Sequence, residues 1–232
     1  MHEQGAAANA SAICLGWMQV PATPHAEAIA WTLLTGQERA RAARFRVPQD
    51  RLRFVAGRAG LRLVLSEALA VHPAEAPLET DGTGMPVVSS CGRRLAISVS
   101  HAGEWAVAAV GSARWLGVDL EPMCAVEAVP TLMRRALTEA ERADLARVRA
   151  RCMPETLTRC WVAKEAILKA AGCGLAVEPQ CIVLSIGDDG QPVVRSVPAP
   201  LFGGQQIAVR FVPAPAGYIA ALAADASVGA LQ

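Results

Sequence analysis

Apolar and polar positions follow one another in a pattern that predicts long helices combined with short strands. An apolar stretch at residues 12–20 indicates a first strand, and a helical pattern then extends over residues 29–69, with a break near Val47-Pro48. After a turn-rich segment, residues 95–111 are typical of a β-hairpin that turns around residues 101–103. The first half of the chain is therefore predicted to contain a strand, a helical region and a hairpin.

The second half of the chain shows the same order of elements. A strand is predicted at residues 115–122, and a mixed helical stretch over residues 131–150 leads into a central helix at residues 161–171, which Gly172 should end. Short strands are predicted beyond it, at residues 181–186, 193–197, 206–212 and 218–223. The last two of these form a hairpin that resembles residues 95–111.

This internal similarity predicts an α+β fold built from two similar halves, residues 1–113 and 114–232. Ligands commonly bind between such units, so we expect the functional groups at the seam between the halves. Within the second half, Thr138 and Glu141 have the spacing of a capping box at a helix start.

The distribution of positive charge singles out the central helix. Of the 22 basic residues only two are lysines, Lys164 and Lys169, and both lie in this helix on either side of Glu165. Lysine is a compact point charge, whereas arginine is a planar fork. A helix places Glu165 and Lys169 on one face and turns Lys164 about 100° away. A surface ion pair worth a few tenths of a kcal/mol is the alternative, but the lysine distribution favours a specific role.

Two carboxylates lie close together on the strand at residues 115–122. Side chains alternate along a strand, so Asp119 and Glu121 share one face and repel each other unless a cation lies between them. Mg²⁺ binds one or two carboxylates and takes further oxygens from phosphates. If the central helix packs on this strand, Glu165 adds a third carboxylate. Acidic residues are also common at strand ends, so this pattern alone is a weak indication of a metal.

The hairpin at residues 95–111 carries further polar candidates. Ser98 and Ser100 lie on one face of its first strand, and His101 lies at the exposed end of that strand beside the turn. A lone histidine is usually incidental, but loops at strand ends often carry functional groups.

Arginines are concentrated in the helical region of the first half, at positions 39, 41, 44, 46, 51, 53, 58 and 62. Arg51, Arg58 and Arg62 can share one helical stripe. Such a stripe is either a solvated helix face or a docking surface for phosphate or for an acidic partner protein.

Composition limits the classes of partner. The net charge of +1 gives no reason to expect nucleic acid or an anionic membrane, and no run approaches the roughly 18 apolar residues that span a bilayer. The N-terminal segment lacks the basic residues of a signal peptide, and the seven scattered cysteines form no CxxC motif. We expect a cytoplasmic protein with free thiols and no zinc site.

Three blocks of the sequence together resemble the 4′-phosphopantetheinyl transferase superfamily: Ser100-His101, residues 117–121, and residues 161–165 continued to Lys169. Their order, spacing and chemistry agree best with the monomeric, two-halved branch typified by surfactin-synthetase activators. The similarity extends from about residue 34 to residue 176 and includes the Arg41…Arg53 stretch. It implies the fold of that superfamily, with the active site between two α+β halves.

The resemblance also implies an activity. Members of the family transfer the phosphopantetheine arm of coenzyme A (CoA) to a serine of an apo acyl or peptidyl carrier protein, and 3′,5′-ADP is the other product. Carried over by position, Asp119, Glu121 and Glu165 hold Mg²⁺, with Mn²⁺ as an alternative. Glu165 is the candidate base, directly or through a metal-bound water, and Lys169 balances charge on the departing ADP. Lys169 and Lys164 face the pyrophosphate of CoA. The other positions implied in CoA binding are Arg41, Arg53, Gly84, Met85, Pro86, Ser100 and His101.

Three positions depart from the family pattern. Met85 stands where the turn motif usually has lysine, which removes one cationic contact to CoA. Ser98 replaces the usual asparagine, and Glu38 falls where relatives often have lysine. These departures concern CoA affinity more than chemistry, because the three carboxylates and Lys169 are present.

Two other functions fit the same residues. A metal-dependent phosphohydrolase acting on CoA or a nucleotide would use these carboxylates with water as the nucleophile. A non-catalytic module would dock acidic helical proteins on its arginine-rich face, and its binding would weaken with salt. The carboxylates and the paired lysines favour an enzyme.

Overall fold

The first half of the chain forms five strands and three α-helices in the computed structural model, which describes residues 13–80, 86–88, 95–145 and 149–226. These elements are β1 (Ile13–Gln19), α1 (Pro24–Thr32), α2 (Gly36–Ala42), α3 (Pro48–Leu69), β2 (Leu78–Thr80), β3 (Pro86–Val88), β4 (Ala96–Ala102) and β5 (Trp105–Gly111). The predicted break near Pro48 is confirmed, because this proline occupies the first turn of α3. A second break arises at Thr35, whose hydroxyl caps α2.

The second half contributes β6 (Leu116–Pro122), α4 (Val129–Ala136), α5 (Glu139–Leu145), α6 (Met153–Ala170), β7 (Val183–Ile186), β8 (Pro192–Ser196), α7 (Ala199–Phe202), β9 (Ile207–Val212) and β10 (Tyr218–Asp225). The mixed helical stretch predicted over residues 131–150 is divided into α4 and α5, because Leu137 is extended and α5 begins after Thr138, where a helix start was predicted. The capping box is confirmed: Glu141 N–H donates to Thr138 Oγ1 (3.1 Å), and Thr138 N–H donates to Glu141 Oε2 (2.8 Å). Gly172 follows the end of α6 with a φ of 70°, as predicted.

Each half contains a three-stranded antiparallel sheet, with the order β1-β5-β4 in the first and β6-β10-β9 in the second. In both sheets the last strand of the half lies between the other two. Two-stranded sheets, β2-β3 and β7-β8, accompany them. The predicted α+β fold with two similar halves is therefore confirmed, while the boundary near residue 113 stays a prediction.

Alternation along the two central strands builds a layered core. Val107 of β5 and Leu222 of β10 belong to a cluster between the two sheets. The neighbouring Ala108 packs in the cluster of α3, and Ala223 packs in the cluster of α6. The layers are therefore α3, first sheet, second sheet and α6. Strand β6 of the second sheet contacts both β4 of the first half and α6 of the second half.

The arginine stripe of α3 is not a docking surface. Arg58 and Arg62 are only 7% and 1% exposed, and both approach Glu38, with Arg62 Nε donating to Glu38 Oε2 at 2.7 Å. Arg51 pairs with Glu27 of α1. The capping role of Glu38 in α2 directs its carboxylate against α3, so two of the three arginines are buried as ion-pair partners. The three arginines thus lie along one helix, but with two of them buried they form neither a solvated face nor a docking surface.

Two expectations from composition concern membranes and thiols. No helix in the described part of the chain is long and apolar enough to cross a membrane. The six cysteines that these residues include are free thiols, while Cys91 lies outside the described residues.

Candidate active site

Three elements from both halves converge on one buried group of polar side chains: β4, β6 and α6. The Lys169 ammonium donates to Asp119 Oδ1 and to Ser100 Oγ, both at 2.7 Å. The Ser100 hydroxyl in turn lies 2.8 Å from Asp119 Oδ1. Asp119 and Ser100 are 3% and 6% exposed, so this network is held mostly away from water. The structure thus brings together three of the predicted site residues.

Close backbone packing explains why α6 reaches this group. A Cβ atom on Gly117 would lie 2.0 Å from the Ala166 carbonyl oxygen and 2.4 Å from the Ala170 nitrogen. Only a glycine at this position of β6 lets the α6 backbone approach so closely. On the other side of β6, Ser98 Oγ accepts the Val118 N–H at 3.0 Å, which ties β4 to the open edge of β6. This polar group therefore lies where elements of the two halves meet.

Two carboxylate oxygens in this group have no hydrogen-bond partner among the described residues. They are Asp119 Oδ2 and Glu165 Oε1, and both atoms are buried. Buried polar atoms in folded proteins nearly always have a hydrogen-bond partner, so two buried carboxylate oxygens without one require an explanation. A bound cation would satisfy both.

The electrostatics of the site favour the binding of a cation. Burial raises the pKa of Glu165 to about 7, and repulsion from Asp119 adds to the rise, against the attraction of Lys169. Burial and the Asp119 charge also raise the pKa of Glu121, whose Oε1 accepts the Trp161 indole N–H at 3.1 Å. Three carboxylates thus lie near enough to repel one another, beside a single ammonium group.

These carboxylates do not form a ready-made coordination shell. Among the described residues no group of three or more histidine, cysteine, aspartate or glutamate side chains is arranged to hold a metal ion as it stands. The two unpaired oxygens nevertheless fit Mg²⁺, which needs only one or two carboxylates and keeps several water ligands. Asp119 and Glu165 are therefore the residues that could hold such an ion, with Glu121 beside them.

The predicted nucleotide-binding residues lie on the first-half side of the seam. Lys169, Arg53 and Asp50 are within electrostatic range of the exposed His101. Arg53 donates to Asp50 at 3.4 Å. Arg41 lies over the Phe54 ring at 5.3 Å and lines an open cavity of about 650 Å³. Gly84 and Met85 lie outside the described residues, and Pro86 begins β3.

Lys164 does not join this group. Its side chain is fully buried and its ammonium donates to Glu141 Oε2 and to the Ala136 carbonyl, both at 2.7 Å. The expectation that Lys164 faces the pyrophosphate of CoA is therefore wrong. The physical reason is the 100° turn from Glu165, which directs Lys164 towards α4 and α5 instead of β6.

Sequence reasoning missed two residues that support the site. Trp161 holds Glu121 through its indole N–H, as described above. Tyr218 of β10 accepts the Glu104 N–H at 3.1 Å and lies against Gly103 in the β4–β5 turn, which links this turn to the second half. The position of Trp161 one helical turn before Glu165 was a signal for the first, whereas nothing local indicated the second.

Two family models match consecutive parts of the chain. The model described as "4′-phosphopantetheinyl transferase, N-terminal" matches residues 20–113, and the model described as "4′-phosphopantetheinyl transferase superfamily" matches residues 116–223. The 4′-phosphopantetheinyl transferase HetI of Nostoc sp. is 33% identical over 145 residues, which cover 62% of this chain and 61% of HetI. The 4′-phosphopantetheinyl transferase psf-1 of Bacillus pumilus is 29% identical over 159 residues, covering 68% and 66%. The match thus spans less than two thirds of either relative.

Among solved structures, a holo-(acyl-carrier-protein) synthase from Bacillus anthracis in complex with CoA (3′,5′-ADP) has a TM-score of 0.41 and 22% identity. The superposition covers 48% of this chain and 94% of the synthase chain. Its low TM-score adds nothing to the sequence matches.

The fold and the site together define a two-halved α+β protein with an acidic, lysine-paired centre at its seam. The chain belongs to the 4′-phosphopantetheinyl transferase superfamily, of the two-halved type. No relative among those matched supports the phosphohydrolase alternative.

Proposed function

We propose that the protein transfers the 4′-phosphopantetheine arm of CoA to a serine of an apo acyl or peptidyl carrier protein, with 3′,5′-ADP as the second product. One observation carries this proposal: the Lys169 ammonium donates hydrogen bonds to Asp119 and Ser100, beside two buried carboxylate oxygens that have no hydrogen-bond partner among the described residues. A cation-binding centre next to an ammonium group suits a pyrophosphate substrate. Membership of the superfamily agrees with this reading.

The reaction needs charge neutralisation and a proton acceptor. The serine oxygen of the carrier forms a bond to the phosphorus that bears pantetheine, the bond from this phosphorus to the ADP oxygen breaks, and the serine proton leaves. Lys169 is the residue that would offset charge on the pyrophosphate and on the departing ADP. The Lys169 side chain is 27% accessible and lines a cavity, so a substrate can reach it.

Glu165 is the residue we assign as the base. A general base works best with a pKa near the working pH, and the pKa of Glu165 is raised to about 7. Asp119 and Glu165, with Glu121, would hold Mg²⁺ or Mn²⁺, which supplies further neutralisation of the pyrophosphate when bound.

Two cavities support the placement of CoA. The first, about 650 Å³, is lined by Arg41, Arg44 and Phe45 and suits the nucleotide end. Arg53 and Lys169 are both within electrostatic range of His101, and Lys169 donates to Ser100, so we assign these residues to CoA as well. The second, about 460 Å³, is mainly apolar and adjoins Lys169; its lining comprises Ile97, Ser98, Val99, Gly172, Cys173 and Gly174. This second cavity suits the pantetheine arm. We assign residues 84–86, which the sequence predicts to form a turn, to CoA as well. We also propose that the protein works as a monomer in the cytoplasm.

Intact-mass analysis of a panel of apo carrier proteins tests the function. We expect one carrier or more to gain the mass of phosphopantetheine with CoA and Mg²⁺, and no gain when Mg²⁺ is chelated. Acetyl-CoA in a parallel reaction shows whether the second cavity accepts an acylated arm. Consumption of CoA without any carrier would instead indicate a phosphohydrolase, and no gain on several diverse carriers would refute the transferase.

Replacing Asp119 by asparagine should lower the kcat/KM of transfer by about 100-fold or more, because Lys169 and the cation lose one charged partner. Asn keeps the side-chain volume, so the fold should persist, as circular dichroism would show. Asp188→Asn, in the exposed turn between β7 and β8, is the matched control and should keep full activity. Full activity in Asp119→Asn would remove this residue from the site.

A further inference from the structure

A buried ion pair recurs at the same place in both halves of the protein. In the first half, Thr35 and Glu38 form the capping box of α2, and the Glu38 carboxylate accepts a hydrogen bond from Arg62 of α3 at 2.7 Å. Arg62 also donates to backbone carbonyls that follow α3, at Pro73 (2.9 Å) and Ala76 (3.3 Å). The long helix of this half is thus tied to a short helix through a charged pair.

In the second half, Thr138, Glu141 and Lys164 take the same three roles. Glu141 caps α5, and its Oε2 accepts the Lys164 ammonium at 2.7 Å. The spacing along the chain within one triplet is nearly the same as within the other. Both cations are almost completely buried: Arg62 is 1% exposed and Lys164 is 0% exposed. The recurrence shows that the pair belongs to the architecture of each half.

The two pairs differ in what their long helix carries. Lys164 directly precedes Glu165, and α6 also bears Lys169. On α3, the residues around Arg62 are Leu61 and the partly exposed Leu63, which have no polar group to direct. Helix α3 carries Arg53, a predicted CoA-binding residue, but no candidate metal ligand. The same device therefore anchors a helix with cation-site residues in the second half only.

Lys164 connects α6 to three other elements. Its ammonium donates to the Ala136 carbonyl at the end of α4 and to Glu141 of α5, while Glu141 Oε1 accepts the Leu184 N–H of β7 at 2.9 Å. On the opposite side, α6 rests on Gly117 of β6. Contact with Gly117 sets the distance of α6 from β6, whereas the Lys164 anchor opposes rotation of the helix about its axis.

We propose that the Lys164–Glu141 pair is a positioning device, which fixes the rotation of α6 so that Glu165 and Lys169 face Asp119. Lys164 is then a positioning residue that acts through Glu165 and contacts neither CoA nor the metal. This inference rests on the proposed function for its kinetic consequences, but its effect on cation binding can be measured separately. Outer residues that orient metal ligands typically change metal affinity or activity by about 10- to 100-fold.

The test compares Lys164→Met with Arg62→Met in the full-length protein, using Mn²⁺ alone as the probe and electron paramagnetic resonance to count bound ions. We expect Lys164→Met to weaken Mn²⁺ binding by about 10- to 100-fold and to lower kcat by a similar factor, with the KM for CoA within about threefold of wild type. Arg62→Met removes a pair of the same kind, so its melting temperature should also fall, but its Mn²⁺ affinity should stay within about twofold of wild type.

Two further variants keep the inference testable if Lys164→Met does not fold. Glu141→Gln retains the size of the side chain and should weaken Mn²⁺ binding in the same direction. Lys164→Arg places at this position the residue that the first half uses, and it should restore binding relative to Lys164→Met. A folded Lys164→Met protein with wild-type Mn²⁺ affinity would overturn the inference, as would equal weakening in Arg62→Met or a wild-type protein that binds no Mn²⁺. Failure of the wild type to modify any carrier would refute the proposed function alone.

Discussion

Replacing Glu165 by glutamine should abolish phosphopantetheine transfer while the protein stays folded. Glutamine has the same size but cannot accept the serine proton, and its amide is a poorer ligand for a divalent ion. Loss of a general base typically costs about 10²- to 10⁴-fold in rate. We therefore expect kcat/KM on an apo carrier to fall by at least 100-fold, measured by the rate of mass gain.

The same substitution should stabilise the metal-free protein. The pKa of Glu165 is about 7 in the folded protein and 4.5 in the reference state, so between these values the folded chain binds more protons than the unfolded chain. Its free energy of unfolding therefore decreases as pH rises from about 4.5 to about 7, by up to roughly 3 kcal/mol from this group alone. Glu165→Gln removes this dependence, so its metal-free unfolding curves should change less over that range.

Chemical denaturation at several pH values, with and without Mg²⁺, measures both effects. At pH 8 Mg²⁺ should stabilise the wild type, because it binds the folded state, and should have little effect on Glu165→Gln. Glu155→Gln is the control: this glutamate lies on the exposed first turn of the same helix, where it pairs with Arg159. It should retain activity and the wild-type pH dependence. An active Glu165→Gln enzyme would reject Glu165 as the base.

Local rules were enough to find the residues of the centre. Strand alternation placed Asp119 and Glu121 together, helical spacing put Glu165 and Lys169 on one face, and the distribution of lysines singled out α6. These are properties of single elements, and the structure keeps them. The capping box at Thr138 is of the same kind, because both partners lie within one helical turn.

Long-range pairing could not be predicted in this way. Helix α6 is buried on nearly every side, from Leu157 to Ala170, so periodicity could not tell which of its polar residues faces the site and which faces α5. Lys164 and Arg62 each find a glutamate more than twenty positions away along the chain, and only the packing of a short helix brings it there. This is why the arginine stripe was expected to be a solvated face or a docking surface, and why Lys164 was assigned to the pyrophosphate.

The repeat also explains a contrast between two glycines. Gly16 of β1 and Gly117 of β6 occupy corresponding first strands, and each meets the long helix of its half. A Cβ on Gly16 would lie 2.2 Å from Val64 Cγ2, which is the end of a side chain. A Cβ on Gly117 would lie 2.0 Å and 2.4 Å from backbone atoms of α6, at Ala166 and Ala170. A side chain can change rotamer, but a helix backbone can move only as a unit.

Gly117→Ala should therefore be much more harmful than Gly16→Ala. Overpacking a core typically costs about 1–3 kcal/mol, and we expect Gly117→Ala to reach or exceed the upper value and Gly16→Ala to stay near the lower one. Displacement of α6 also moves Glu165 and Lys169 away from Asp119, and a shift of about 1 Å in such groups can cost about 100-fold in rate. Urea denaturation measures the free energy of unfolding of both variants, and transfer assays measure their kcat. Equal destabilisation of the two, or a Gly117→Ala enzyme with wild-type kcat, would show that α6 does not depend on this contact for its position.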